Sequence, residues 1–371
     1  MKKLLIFHPA LAPYRVDLFN ELSKHFDLKI VFFQKNLLNQ TFDQEYLTSL
    51  LSCNYSYLTE GIKIGKRYLR YGLRREIDNF KPDFVISMEF SFSSILLAII
   101  RNYALKPKWR LIIWTADNKY ICEGSSYLRK IARSFVTRCA DNLIVYSKTT
   151  KDWYENYGIH PSKIGVCSNL PSEVSFLDKL ELSNNSIGKH MAKFQLENQK
   201  IVLYVGRLSS VKGLDLLIHS FKILAAKNMD LKLIIVGDGD QTNYLLSLAK
   251  ELKLSEQIVF VGRFEGPELL AWYKIADCFI LPSRFEPYGA VVNEALLAGT
   301  PVVCSKYAGS CDLIETGKNG YIIDPEDLEY MAEAINRGIK LKHPNMYGCS
   351  LMPITFKSSV QSFIDTVKQT N

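Results

Sequence analysis

Two carboxylates lie in a segment whose pattern indicates a helix that faces a ligand. Glu286 follows an apolar run that ends at Leu281, and Glu294 comes about two helical turns later. Pro287 between them is typical of a first helical turn. Because a carboxylate accepts two hydrogen bonds at once, the pair suits the hydroxyls of a sugar or a ribose. Alternatively, Glu286 is an ordinary acidic residue at a helix start and Glu294 is a solvent-exposed helix residue. For either glutamate considered alone, this alternative is favoured over ligand binding.

Phosphate-binding groups are expected at the start of this helix and in a loop earlier in the chain. The N–H groups of residues 289–291 lack intrahelical acceptors, and the helix dipole favours an anion beside them. Further upstream, a predicted strand ends at Gly206, and the cations Arg207 and Lys212 follow before Gly213. Such cations neutralise a diphosphate and stabilise one that departs with developing charge. Surface salt bridges are an equally good interpretation of the two cations.

Bulk composition limits the classes of protein to consider. A chain of 371 residues with 47% hydrophobic and 23% charged residues suits two soluble globular domains. Its eight scattered cysteines form no Cys-x-x-Cys pair, which predicts buried thiols in a reducing cytoplasm. The first apolar run, Leu4–Phe7, is too short for a signal peptide, and no run reaches the length of a membrane span.

Charge is concentrated in the first half of the chain. Residues 1–180 carry 26 Lys and Arg against 17 Asp and Glu, whereas the remainder is nearly balanced. This asymmetry indicates an anionic partner, and nucleic acid is disfavoured because no recognised module accompanies the basic segment. A predicted amphipathic helix at residues 63–75 would bind an anionic membrane or a lipid-linked pyrophosphate, with a solvated face as the alternative. Its basic face would consist of Lys63, Lys66, Arg67, Arg70 and Arg74.

Apolar runs alternate with helical patterns through both halves, which predicts parallel α/β sheets with right-handed crossovers. In the first half, the predicted strands are Leu4–Phe7, Leu28–Phe33, Phe84–Ser87, Leu111–Trp114 and Asn142–Tyr146. In the second half, they are Ile201–Val205, Leu231–Val236, Gln257–Val261, Cys278–Leu281, Val302–Cys304 and Tyr321–Ile323.

The polar stretch at residues 172–199 interrupts this alternation and is predicted to be a linker or a loosely held insert. We therefore expect two Rossmann-like domains that face a central crevice. The first spans residues 1–175, with a C-terminal helix at about 355–371 packed back on it, and binds the acceptor. The second spans residues 176–350 and binds the nucleotide-sugar.

The motifs of the second half, taken in order, resemble the family 4 retaining glycosyltransferases of the GT-B fold. The family signature of two glutamates separated by seven residues is matched by Glu286 and Glu294, and its Gly-Arg…Lys-Gly loop by residues 206–213. The resemblance covers residues 201–330 densely. Further matching segments are Val236-Gly237-Asp238-Gly239, Phe260-Val261-Gly262-Arg263, Ala276-Asp277, Pro282-Ser283, Gly299-Thr300-Pro301 and Gly317…Gly320.

The resemblance implies a role for each matched position. Arg207 and Lys212 would bind the donor diphosphate, Glu294 the ribose hydroxyls, and Glu286 the transferred sugar. The remaining donor-site positions are Gly206, Gly237, the backbone of Gly289 and Ala290, and Arg263, whose main chain would lie near the nucleobase. The family needs no protein nucleophile, and neither a metal nor another cofactor is expected.

The N-terminal half departs from the family pattern. It lacks the glycine-rich loop after the first strand, and the segment Pro13–Phe19 looks like a subgroup that builds bacterial surface polysaccharides. Many family members have a histidine after the fourth strand, where this chain has Asp117. Asp117 is predicted either to replace that histidine as a catalytic residue or to be an ordinary aspartate in a strand-end turn.

The leading hypothesis is a cytoplasmic retaining hexosyltransferase, peripheral at the inner face of the cell membrane. It would move a sugar from a UDP- or GDP-linked donor to a glycan or lipid-linked acceptor. One alternative is an NAD-dependent oxidoreductase, although Thr242 replaces the third glycine of the dinucleotide fingerprint. The other alternative is a catalytically silent subunit that binds sugar-nucleotides within a glycan assembly complex.

Overall fold

The computed structural model describes residues 1–36, 42–65, 67–103, 108–226, 230–341 and 349–369. The chain forms two compact units. Unit 1 comprises Met1–Ser172 and Phe356–Asn371, and unit 2 comprises Glu173–Thr355.

Unit 1 is built on a seven-stranded parallel sheet in the order β3-β2-β1-β6-β7-β8-β9. Apolar runs such as Leu4–Phe7 are fully buried, as expected of strands covered on both faces. The strands are β1 (Lys3–His8), β2 (Asp27–Phe32), β3 (Asn54–Tyr57), β6 (Phe84–Met88), β7 (Arg110–Trp114), β8 (Asn142–Val145) and β9 (Ile164–Val166). A separate hairpin contains β4 (Gly61–Ile64) and β5 (Arg67–Arg70).

Helices cover the sheet of unit 1. They are α1 (Pro13–Ser23), α2 (Gln44–Ser49), α3 (Leu73–Phe80), α4 (Phe92–Tyr103), α5 (Lys119–Glu123), α6 (Tyr127–Cys139), α7 (Lys148–Asn156) and the C-terminal α15 (Phe356–Lys368). The last helix packs closely on β8 and β9. The ring of Phe363 lies 5.2 Å from that of Trp114, and a Cβ on Gly165 would collide with the Thr366 side chain at 1.8 Å.

The basic segment at residues 63–75 does not form the predicted helix. Strands β4 and β5 pair as an antiparallel hairpin with Lys63 opposite Tyr68, and helix α3 begins only at Leu73. Gly65 takes φ +62° at the turn, a conformation that glycine adopts freely. The prediction was wrong because a glycine turn between strand-forming residues such as Ile64 and Tyr68 outweighed the helical spacing of the cations.

The four cations in the described residues consequently do not share one helical face. Arg70 is buried, whereas Lys63 and Arg74 are exposed on the hairpin and on α3 respectively. Arg67 lies in β5, and Lys66 lies outside the described residues. The prediction of a single basic helix was therefore wrong, whereas the membrane contact itself stays a prediction.

Unit 2 contains a six-stranded parallel sheet in the order β12-β11-β10-β13-β14-β15. Its strands are β10 (Lys200–Val205), β11 (Leu231–Val236), β12 (Ile258–Gly262), β13 (Cys278–Leu281), β14 (Val302–Ser305) and β15 (Gly320–Ile323). Its helices are α8 (Glu173–Leu182), α9 (Asn184–Lys193), α10 (Leu214–Ala225), α11 (Thr242–Glu251), α12 (Gly266–Ile275), α13 (Val291–Leu297) and α14 (Leu328–Leu341).

The segment predicted to be a linker is instead the helical pair α8 and α9, so that prediction was wrong. His190 of α9 stacks on Trp272 with ring centroids 4.5 Å apart, and its Nε2 donates to the Glu268 carbonyl oxygen at 2.9 Å. These contacts with α12 stabilise a polar sequence that shows little helical periodicity of its own, because tertiary packing supplies most helix stability.

Candidate functional site

The order of strands in unit 2 reverses between β10 and β13. Ligands of parallel sheets bind beyond the carboxyl ends of the strands at such a reversal. The loop after β10 contains Arg207 and Lys212, and the loop after β13 contains Glu286. The topology of the sheet therefore brings these two predicted loops to one edge.

Main-chain and side-chain contacts hold the two loops together. The amides of Arg284 and Phe285 donate to the Val211 carbonyl oxygen at 2.9 and 3.3 Å. The Arg284 guanidinium donates through Nη1 and Nη2 to the two carboxylate oxygens of Asp215, at 2.6 and 2.8 Å. This bidentate pair anchors the loop after β13 to the first turn of α10.

Lys212 and Glu286 form an ion pair within this arrangement. The Lys212 Nζ donates to Oε2 of Glu286, and only about a tenth of the Glu286 side chain is exposed. The sequence predicted one residue for a diphosphate and the other for a sugar, and the structure brings the two side chains into direct contact. A bound diphosphate would replace Glu286 as the partner of Lys212, and a sugar hydroxyl would replace Lys212 as the donor to Glu286.

The turn before α13 provides backbone donors next to Glu286. Gly289 takes φ +91°, and a Cβ there would lie 2.7 Å from Leu281 and 3.2 Å from the Glu286 side chain, so glycine is required. Within the described part of the chain, the amides of Gly289 and Ala290 have no protein acceptor. They remain available to an oxygen-rich ligand such as a phosphate.

Glu294 is held by a tyrosine that the sequence analysis did not single out. The hydroxyl of Tyr273, a buried residue of α12, donates to Oε2 of Glu294 at 2.7 Å. Loss of hydration raises the pKa of Glu294, and the hydrogen bond from Tyr273 opposes this shift. No sequence motif connects Tyr273 to Glu294, because the contact depends on the packing of α12 against α13.

The other predicted donor-site residues lie along the same edge of the sheet. Gly206 and Gly237 follow β10 and β11, and a Cβ on Gly237 would lie only 1.9 Å from the Gly206 carbonyl oxygen. The Arg207 side chain is exposed, and the Tyr204 hydroxyl donates to its carbonyl oxygen at 3.0 Å. Arg263 follows β12, and its exposed side chain pairs with Glu265 at 2.5 Å.

Asp117 lies in unit 1, in the loop after β7, and is buried. Both of its carboxylate oxygens accept from Nη2 of Arg129, at 2.6 and 2.9 Å. Oδ2 also accepts from Nη2 of Arg133 at 3.0 Å. Two guanidinium groups therefore contact both carboxylate oxygens of Asp117 and hold its side chain in place.

Glu89, which the sequence analysis missed, lies beside Asp117 at the end of β6. Its carboxylate accepts from the Thr115 hydroxyl at 2.9 Å and from the Ala116 amide at 2.8 Å. Burial and the nearby Asp117 charge raise the pKa of Glu89 to about 7. A glutamate two residues after a predicted buried strand was the only sequence signal for it.

The described residues contain neither a membrane-spanning helix nor a metal-binding cluster of side chains. No helix in these ranges is both long and apolar enough to cross a membrane. No group of three or more His, Cys, Asp or Glu side chains among the same residues is arranged to hold a metal ion.

Comparison with known proteins identifies relatives of the chain. Residues 186–347 match the family model described as Glycosyl transferases group 1. An uncharacterized glycosyltransferase of Methanocaldococcus jannaschii is 30% identical over 255 residues, which are 62% of this chain and 64% of that protein. The matched segment thus spans just under two thirds of that relative's length.

Solved structures are similar over nearly the whole chain. The lipopolysaccharide outer core galactosyltransferase WaaB has a TM-score of 0.74 at 19% identity, with 98% of this chain and 99% of that chain covered. Anabaena HepE in complex with UDP and glucose also has a TM-score of 0.74 at 19% identity, with 100% of each chain covered. At these identities, the similarity shows a common fold.

Proposed function

We propose that the chain is a retaining glycosyltransferase, because residues 186–347 match the glycosyl transferases group 1 model and the chain has the GT-B fold. Its donor is a UDP- or GDP-linked sugar, and its acceptor is a glycan or a lipid-linked glycan of cell-surface polysaccharide synthesis. Two solved structures with the same fold support these assignments, because one is a lipopolysaccharide galactosyltransferase and the other is a complex with UDP and glucose.

The proposal rests on the ion pair between Lys212 and Glu286. It lies in the loops that follow β10 and β13, where the strand order of the unit 2 sheet reverses. Lys212 and the neighbouring Arg207 bind the donor diphosphate in this proposal. Glu286 then accepts hydrogen bonds from hydroxyls of the transferred sugar. The diphosphate replaces Glu286 as the anionic partner of Lys212, so that donor binding couples the two roles.

The remaining residues complete the donor site. Glu294, oriented by Tyr273, binds the ribose hydroxyls. The amides of Gly289 and Ala290, which have no acceptor among the described residues, donate to the phosphate oxygens, which favour a preorganised pair of N–H groups. The main chain at Arg263, two strands from β10, contacts the nucleobase.

The reaction that we propose needs no protein nucleophile. The bond between the anomeric carbon and the diphosphate oxygen breaks, and the acceptor oxygen bonds to that carbon on the same face. The acceptor proton passes to the departing phosphate oxygen. Because Arg207 and Lys212 supply positive charge to the leaving group, the proposal includes no metal ion.

We also propose that the protein acts in the cytoplasm, at the membrane surface when its acceptor is lipid-linked. Free thiols that include the buried Cys122 and Cys167 suit a reducing compartment. Ile62 and Ile64 of the β4–β5 hairpin are about half exposed and flank the exposed Lys63. An apolar pair beside a cation favours the interface of an anionic membrane.

A thermal-shift panel of UDP-glucose, UDP-galactose, GDP-mannose and NAD tests the donor assignment, because a ligand that binds only the folded state raises its apparent stability. We expect stabilisation by a nucleotide-sugar and its loss in Arg207→Ala. Stabilisation by NAD alone would favour the oxidoreductase. Donor binding with neither transfer nor hydrolysis would favour a silent binding subunit.

Transfer itself is tested by incubating the stabilising donor with lipid-linked and free glycan acceptors. Glu286→Ala and Arg207→Ala should each abolish transfer while circular dichroism shows an intact fold. The anomeric configuration of the product, measured by NMR, should equal that of the donor. An inverted product would contradict the retaining assignment even if transfer occurs.

A further inference from the structure

Unit 1 contains a cavity of about 470 Å³ at the carboxyl edge of its own parallel sheet. The sheet order reverses between β1 and β6, and the cavity is lined by residues that follow β1, β2 and β6, including Pro9, Gln34 and Glu89. This is the edge position at which a parallel sheet binds ligands. All of the residues that line the cavity belong to unit 1 and to the described part of the chain.

The backbone at one wall of the cavity is strained. Glu89 takes φ +60°, a left-handed conformation that is unfavourable for a residue with a side chain. Two hydrogen bonds from the end of β7 hold its carboxylate in place. Strain of this kind persists where the surrounding structure enforces it, and such positions cluster at ligand-binding sites.

Two guanidinium groups face the cavity with unused donors. Arg70, only 7% exposed, donates through Nη1 to the Thr59 carbonyl oxygen and stacks on Tyr68 at 4.5 Å. Arg129 contacts Asp117 through Nη2 alone. Among the described residues, the Nη2 of Arg70 and the Nη1 of Arg129 have no hydrogen-bond acceptor.

The charges around the cavity sum to a positive value. Arg70, Arg129 and Glu89 line the cavity, and Arg129 shares the Asp117 carboxylate with the buried Arg133, so these five groups carry one net positive charge when Glu89 is ionised. Protonation of Glu89, whose pKa lies near 7, would increase the excess. A buried positive excess of this kind favours a ligand that carries its own negative charge.

The rest of the lining suits a sugar ring. Tyr68, Phe90 and Phe92 present aromatic surface, against which the C–H groups of a sugar pack. Glu89 retains lone pairs that can accept from ring hydroxyls. The 12-residue helix α4 begins at Phe92, and Phe92 and Ser93 of its first turn line the cavity, a position that favours an anion.

We propose that this cavity binds the acceptor through an anionic group, a carboxylate or a phosphate, carried on a sugar. Arg70 and Arg129 bind the anion, and Glu89 accepts a hydrogen bond from a hydroxyl of the same sugar. The identification of this ligand as the acceptor rests on the proposed function, whereas the binding of an anionic sugar in unit 1 stands without it.

The test is direct binding, measured by isothermal titration with glucuronate, glucose 6-phosphate and the neutral methyl glucoside. The Arg207→Ala variant serves as the host protein, because it weakens competing phosphate binding in unit 2. We expect one or both anionic sugars to bind at least about tenfold more tightly than methyl glucoside, which corresponds to about 1.4 kcal/mol. The two anionic probes distinguish a carboxylate from a phosphate as the recognised group.

Variants locate the site. In the same host, Arg129→Gln and Arg70→Gln should each weaken the anionic sugar about tenfold, and Arg70→Lys should restore part of the binding. Arg138→Gln, at an exposed position of α6 outside the cavity, should leave binding unchanged. Equal affinity for methyl glucoside, or unchanged binding in Arg129→Gln, would overturn the proposal. The binding assay requires neither a donor nor turnover. Anionic sugars can therefore fail to bind while sugar transfer succeeds, and they can bind while transfer fails.

Discussion

The hydroxyl of Tyr273 donates a hydrogen bond of 2.7 Å to the carboxylate of Glu294. Tyr273 is fully buried in α12, so its position is set by the core of unit 2. In the proposed function, Tyr273 therefore orients the glutamate that binds the ribose and does not itself contact the donor.

Removal of this hydroxyl tests the positioning role. Tyr273→Phe should raise the KM for the nucleotide-sugar several-fold with little change in kcat, because Glu294 loses its orientation but not its charge. The free energy of unfolding should fall by about 1 kcal/mol, a typical value for one hydrogen bond. Tyr244→Phe, at an exposed position, is the matched control. A change in kcat alone would contradict the positioning role.

Substitutions of Lys212 and Glu286 should affect donor binding and sugar transfer separately. Lys212→Gln should weaken UDP binding about tenfold, since one cation for the diphosphate is lost. Glu286→Gln should leave UDP binding within a few-fold and lower transfer at least about a hundredfold, because its proposed partner is the reacting sugar. Calorimetry with UDP and steady-state kinetics measure the two effects.

A control for this experiment is available in the same unit. Lys306 pairs with Asp324 at 2.5 Å, away from the two donor loops in sequence. Lys306→Gln should change neither UDP affinity nor transfer. If it has the same effect as Lys212→Gln, then the loss reflects general destabilisation.

The pKa of Glu89 predicts a dependence of stability on pH. It is raised from 4.5 to about 7 in the folded protein, so the folded state binds the proton more tightly than the unfolded state. The resulting stabilisation is complete below pH 4.5 and is lost as the pH rises through about 7. At about 1.4 kcal/mol per pKa unit, it amounts to at most about 3.5 kcal/mol.

Urea unfolding at pH 5 and pH 8 measures this effect. Relative to Glu89→Gln, the unmodified protein should be less stable at pH 8 than at pH 5. Glu60→Gln, at an exposed position in unit 1, should show no such difference. An identical pH dependence for the unmodified protein and Glu89→Gln would show that Glu89 titrates normally.

The hairpin should contribute to membrane association. Ile62→Ser combined with Ile64→Ser should reduce co-sedimentation with vesicles of phosphatidylcholine and phosphatidylglycerol several-fold, because two half-exposed apolar side chains are lost. Leu246→Ser, also exposed but in α11 of unit 2, is the control. Unmodified protein that stays in the supernatant would contradict the proposed contact.

The absence of a metal from the proposed mechanism is also testable. Transfer measured after dialysis against EDTA should equal transfer with added Mg²⁺, since Arg207 and Lys212 provide the positive charge for the leaving diphosphate. Loss of activity in EDTA, restored by Mg²⁺, would require a revised mechanism.

Local patterns determined most of the fold. Apolar runs such as Leu4–Phe7 and Ile201–Val205 predicted buried parallel strands, and the GT-B fold is confirmed. The ordered motifs from Gly206 to Glu294 predicted where donor residues would lie, because loops after adjacent parallel strands reach the same edge. Their roles in binding and catalysis stay predictions.

Tertiary structure alone decided the contacts between distant segments. The ion pair of Lys212 and Glu286 and the hydrogen bond of Tyr273 to Glu294 join residues from different loops and helices, which no local pattern encodes. The segment at residues 63–75 has helical spacing of its cations, yet forms a hairpin. Spacing reports only which residues could share a face, whereas packing and turn geometry determine the conformation that the chain adopts.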